Sequence, residues 1–161
     1  MRLMVQSALV ALLTGCASSA SREYEMDNAF CDQMATFAHS VPRGQQRSVR
    51  LARGGRMYVD HYKSCARSID DPASVAFCEW LSENGSAEFM EANINQAVAC
   101  LQGQRIRGSI GNTGVIAWQG EMTFWHTQLA EGVAAKLTYF IPPVERRTEE
   151  HFLEIMFERK D

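Results

Sequence analysis

Apolar positions recur at helical spacing in three stretches of the chain and alternate with polar ones in most of the remainder. In residues 27–39, Phe30, Met34 and Phe37 stand at i, i+4 and i+7, with Cys31 and Ala38 beside them. That spacing predicts an amphipathic helix. Asp27 is placed to cap its start, and Ser40-Val41-Pro42-Arg43-Gly44 to end it. Residues 71–102 predict two more helices. Asp71 is a good cap with Pro72 in the first turn, Phe77, Cys78 and Leu81 form an apolar side, and Asn84-Gly85 is a stop. Ser86 is placed to cap the next helix, whose Met90, Ile94, Ala97, Val98 and Leu101 lie on one face before Gly103.

Period-two alternation predicts the strands. In residues 46–63, Val49 and Leu51 alternate with Ser48 and Arg50, Gly54-Gly55 reads as a two-residue turn, and Met57, Val59 and His61 alternate with Tyr58, Asp60 and Tyr62. The link from Ser64 to Asp70 is polar and carries Cys65. Residues 104–141 read as strands around a Gly111-Asn112-Thr113-Gly114 turn. Ile116, Trp118, Met122 and Phe124 share one face of one strand, and Val133, Ala135, Leu137, Tyr139 and Ile141 share one face of the next. Pro142-Pro143 ends it, because proline has no ladder donor. Residues 152–159 fit two patterns. Leu153, Ile155 and Phe157 alternate, whereas Phe152 and Met156 suit a helix. A strand is favoured, since it gives the preceding strands a neighbour.

The expected architecture is α+β: an antiparallel sheet of about five to six strands, packed with an N-terminal helix and an inserted helical hairpin. At 161 residues the chain is long enough for one domain with its own core. The expected division is residues 1–15, a leader; 16–25, a small polar tether; and 26–161, the domain.

The leader is legible in Met1-Arg2, the apolar run Leu3 to Leu13, and the small residues Thr14-Gly15 before Cys16. A positive start, a short apolar run and small residues at a cleavage point describe a secretory signal. The run is too short to span a bilayer. Leu13-Thr14-Gly15-Cys16 resembles the lipobox of bacterial lipoproteins. In that class the cysteine sulfur receives a diacylglycerol, the signal is cut before the cysteine, and the new amine is acylated. The resemblance covers residues 1–16 and implies a lipid anchor at Cys16. Residue 17 is Ala rather than the Asp that often retains such proteins in the inner membrane. The resemblance therefore implies the periplasmic face of the outer membrane. Cleavage removes one charged residue, Arg2, leaving 15 basic and 19 acidic residues and a formal charge of −4. Nucleic acid is not expected as a partner of such a chain.

Export changes the meaning of the cysteines. With Cys16 lipidated, Cys31, Cys65, Cys78 and Cys100 remain, and an even set in an oxidising compartment predicts two disulfides. Three pairings are open. There is no C-x-x-C and no pair of His beside a Cys pair, so neither a metal nor a cofactor is expected.

No catalytic constellation emerges. His39, His61, His126 and His151 are not spaced to share a metal. Asp60 and His61 would point to opposite faces of a strand. Glu145, Glu149, Glu150 and Glu154 form a carboxylate cluster, which is most simply a solvated face. Arg43, Arg47, Arg50, Arg53 and Arg56 crowd the first hairpin. They read either as a charged edge that blocks aggregation or as a surface for an anionic partner. Trp125 and Phe140 fall opposite the main apolar stripes and could join a recognition patch.

The function expected from these features is a non-catalytic, membrane-anchored periplasmic domain that binds another envelope protein, as an inhibitor, an immunity-like factor or an assembly accessory. Arg47, Arg50, Arg53, Arg56 and Trp125 are the candidate contacts. The alternative is a carrier or binding module for a cell-wall fragment or lipid, which a cavity lined by the strand aromatics would favour.

Overall fold

A computed structural model describes residues 28–56, 59–68, 70–86, 89–103, 118–146 and 148–161. The leader, the tether, Cys16, Asp27, Met57, Tyr58, the 111–114 turn and Ile116 lie outside the described residues. The elements run α1 (Asn28–His39), β1 (Gln45–Gly54), β2 (Tyr62–Arg67), α2 (Pro72–Asn84), α3 (Met90–Gln102), β3 (Trp118–Phe124), β4 (Val133–Ile141), a 3-10 turn (Val144–Arg146) and β5 (His151–Arg159). The five strands form one antiparallel sheet in the order β2-β1-β5-β4-β3. With three helices, it is the expected α+β architecture, and the C-terminal segment is a strand at the centre of the sheet.

The helices lie where the apolar spacing places them. Asp71 caps α2, its carboxylate accepting from the Ser74 N–H, with Pro72 in the first turn. Gly103 ends α3 in the left-handed region at φ 62°, which glycine adopts without steric cost. The Ser86 hydroxyl accepts from the Phe89 N–H as a cap does, although the regular helix begins only at Met90. The buried Asn93 fixes this entry: its Oδ1 accepts from the Ser86 N–H at 2.8 Å, and its Nδ2 donates to the Ser86 carbonyl at 2.9 Å.

The strand alternation sends Val49, Leu51, Val133, Ala135, Leu137, Leu153, Ile155 and Phe157 to one face, and all three helices cover that face. Phe37 of α1 is its hub, stacked on Phe77 of α2 at 4.9 Å and edge-on to Phe157 of β5 at 5.8 Å. Two disulfides hold this layer together. Cys31–Cys100 joins α1 to α3, and Cys65–Cys78 joins β2 to α2. Of the three pairings left open by the sequence, this one follows the packing, since each bridge joins elements already in contact.

The first hairpin departs from its expected form. Gly54-Gly55 is not a two-residue turn: β1 pairs with Tyr62–Arg67, with Gly54 opposite Tyr62, across a wider loop. Gly55 enters that loop at φ 84°, where a Cβ would stand 2.2 Å from the Asp60 carbonyl oxygen. The Asp60 carboxylate then accepts from the Arg56 N–H and closes the loop on itself. Val59, taken as part of a strand by its alternation, is 68% exposed. Asp60 and His61 are loop residues, and the expectation that they flank one strand is withdrawn with it. The second strand begins later because Cys65 must sit opposite Leu51 to meet Cys78 of α2.

Candidate functional site

The arginines of β1 divide between the two faces of the sheet. Arg47 and Arg53 share the helix-covered face with Val49 and Leu51, while Arg50 points the other way. Arg47 is a strut. It donates to the Ser40 carbonyl at 2.7 Å and hydroxyl at 2.8 Å at the end of α1, and its other nitrogen lies 3.2 Å from the Asp71 carboxylate at the start of α2. Arg53 Nη2 lies 3.1 Å from Nδ1 of the buried His151. Arginine has no acceptor, so in this contact the guanidinium is the donor and Nδ1 the acceptor. Arg56 pairs with Asp60 in the exposed loop, and Arg43 is exposed after α1. The five arginines therefore do not make one basic patch. Three of the five candidate contacts, Arg47, Arg53 and Arg56, are engaged in holding the fold or a loop.

Arg50 is different. It pairs with Glu150 at 2.8 Å, and its guanidinium lies over the Phe152 ring, 3.7 Å from the centroid. Phe152 is opposite Phe140 in the ladder, with centroids 6.2 Å apart. Ala52, Phe152 and Phe140 thus form one row across three strands. The next row is charged, running Arg50, Glu154, Thr138, Glu121, and Glu121 also pairs with Lys136 at 2.7 Å. Among the described residues, no helix packs on this face of the sheet. Phe140 lies opposite the main apolar stripe, as its alternation predicts.

Trp125 follows β3 and is 66% exposed, with the Lys160 ammonium 5.2 Å from its ring centroid. Counting strand spacings and residue rises, it lies about 20 Å from Arg50. The two candidate contacts do not share one compact patch, although one large partner could reach both.

The carboxylate cluster is dispersed. Glu149 pairs with Arg146, Glu150 with Arg50, and Glu154 stands on the open face. Among the described residues, no group of three or more His, Cys, Asp or Glu is placed to hold a metal ion. Among the described residues, Asp60 and Lys63 have pKa values shifted from the ordinary ones. The Arg56 N–H bonded to the Asp60 carboxylate, helped by the Arg56 charge, lowers the Asp60 pKa. Partial burial lowers the pKa of Lys63, whose ammonium donates to the Gly85 carbonyl at 3.1 Å.

Sequence reasoning singled out Arg50, Phe140 and Trp125 but did not place Phe152 and Glu150 beside Arg50. The signal for Phe152 was there, because it is out of phase with Leu153, Ile155 and Phe157. Glu150 has no local signal, since its partner lies 100 residues away. Comparison with protein-family models, with curated proteins and with solved structures finds no match to this chain.

Proposed function

We propose that this chain is a lipid-anchored periplasmic domain, held at the outer membrane through Cys16, that binds another envelope protein without catalysis. The inhibitor, immunity-like and assembly-accessory roles all belong to this reading. The observation that carries it is the face of the sheet on which, among the described residues, no helix packs, and where Arg50 lies over Phe152 beside Phe140 in an Arg–aromatic cluster. Aromatic and arginine side chains dominate the energetics of protein interfaces, and an Arg–aromatic stack is preorganised for that use. Two disulfides support the reading, because they suit an oxidising compartment. The lipobox-like Leu13-Thr14-Gly15-Cys16 supports the anchor.

Two experiments test it. Replacing Cys16 with Ser should move the protein from the membrane fraction to the soluble fraction of the periplasm; retention in the membrane refutes the anchor. A photo-crosslinking residue at position 140 should yield adducts of one discrete mass in intact cells. The same residue at Glu83, exposed on α2, should not. Equal labelling from both positions, or none from position 140, refutes the assignment of this face.

A further inference from the structure

The strands β1 and β2 differ in length, and the mismatch leaves an opening. β1 pairs with β5 from Gln45 to Arg53, but its pairing with β2 ends at Val49 opposite Arg67. Among the described residues, Gln45, Gln46, Arg47 and Ser48 are therefore held by a strand on one side only. The chain turns away from them after Arg67 toward the start of α2. The space left is a cleft of about 430 Å³, lined by those four residues on one wall and by Ser68, Asp70, Asp71, Pro72 and Ser74 on the other.

We infer that this cleft takes an extended peptide segment of a protein partner, added to the sheet as a continuation of β2 and carrying a basic residue. The inference rests on the reading that the domain binds a protein, and it names a second contact of that partner. Main-chain groups of an antiparallel strand alternate between its two neighbours, so about two of the four residues turn toward the cleft; the Gln45 N–H already donates to the Pro42 carbonyl at 3.2 Å, so the free groups are those of Gln46–Ser48. The open edge runs about 13 Å, the length of a four-residue strand. Strand addition uses such an edge: main-chain bonds supply the affinity, and side chains that alternate into pockets supply the specificity.

Charge selects the side chain. Arg47 is consumed by Ser40 and Asp71, and Asp71 by Arg47 and the Ser74 N–H. Asp70 is exposed, with no ion pair among the described residues, and is the uncompensated charge of the cleft. A lysine or arginine of the incoming strand is its complement.

The probes are acetylated and amidated hexapeptides with a threonine and valine background and one lysine at each position in turn. They are titrated into the full chain in detergent and read by amide NMR shifts. At about 1 mM peptide, at least one member should shift the amides of Gln45–Ser48 and Ser68–Asp71 and leave α3 unchanged. N-methylation of alternate peptide amides should weaken binding about tenfold, because it removes the donors of the ladder and leaves the side chains intact. Asp70→Asn should weaken it about threefold, and glutamate in place of lysine should weaken it about tenfold. The inference is overturned if no peptide moves the cleft amides, or if the N-methylated peptide binds equally well. Cross-links from position 140 that persist when the peptides fail would locate the error in the cleft and leave the protein-binding reading standing.

Discussion

The two disulfides should differ in worth, and the difference follows from where they close the chain. Cys31–Cys100 spans 69 residues and Cys65–Cys78 spans 13. A cross-link restricts the unfolded chain more as the loop it closes grows. In the chain-entropy treatment, the long loop contributes about 4.4 kcal/mol and the short one about 2.9 kcal/mol at 25 °C. Removing each pair as Cys31→Ala with Cys100→Ala, and as Cys65→Ala with Cys78→Ala, should therefore destabilise unequally, with a gap of about 1.5 kcal/mol. Native packing does not obscure the comparison, since each bridge has one fully buried sulfur partner, Cys100 or Cys78, and one partly buried partner, Cys31 or Cys65. Urea unfolding followed by tryptophan fluorescence and far-UV circular dichroism supplies the midpoints. Both variants should also show a steeper denaturant dependence than the parent, because their unfolded chains expose more surface. A short-loop variant as unstable as the long-loop variant, or more so, would refute the loop-entropy account. It would show instead that fixing the edge strand β2 against α2 is the larger contribution.

Three further outcomes are expected. Leu137→Ala should cost about 2–5 kcal/mol, and Phe140→Ala three residues away should cost under about 1.5 kcal/mol, because only Leu137 faces the helices. Equal losses in thermal unfolding would mean that the outer face is covered in the folded domain. Asp71→Ala should cost about 2–3 kcal/mol, since it removes both the α2 cap and the partner of Arg47. Arg50→Ala, which breaks an exposed pair, should cost under about 1 kcal/mol, and urea midpoints distinguish the two. Asp60 should titrate below the ordinary carboxylate value of 3.8, because the Arg56 N–H and charge hold it ionised. Since its folded pKa is depressed, the loop contact is fully present above 3.8 and is lost as pH falls through the lower value. Carboxyl and amide NMR at Asp60 and Arg56 follow that loss, and an Asp60 titration at or above 3.8 would refute it.

Where structure is local, the sequence was sufficient. The apolar faces of α1, α2 and α3, the Asp71 cap, the Gly103 stop and the inward residues of β4 follow from spacing within a dozen residues, whereas the spacing of β5 fitted a helix as well and its strand was favoured for the neighbour it gives the other strands. The first hairpin was misread because Gly54-Gly55 has turn chemistry and the residues after it alternate. What overrides both is a non-local demand, the Cys65–Cys78 bridge, together with the Asp60–Arg56 contact that widens the loop. The arginines were misread for a related reason. Five positive charges within fourteen residues look like a patch in one dimension. Their partners Asp71, Glu150 and His151 arrive from α2 and from the far end of the chain, which sets them beside β1 only once β5 lies next to it. The cleft was illegible for the same cause, since no run of residues announces that two paired strands will differ in length.

The place of β5 has a consequence for how the domain is made. Among the described strands, β5 follows the other four in sequence and lies between the β1–β2 hairpin and the β3–β4 hairpin in the sheet. A polypeptide that stops before His151 has two half-sheets with nothing between them, and its helices have no continuous surface to cover. Closing the sheet therefore waits on β5, with the slow closure expected of strands paired across long stretches of sequence. The same arrangement makes the final dozen residues the most economical place to block assembly, so a short peptide copying them would compete for the gap between β1 and β4.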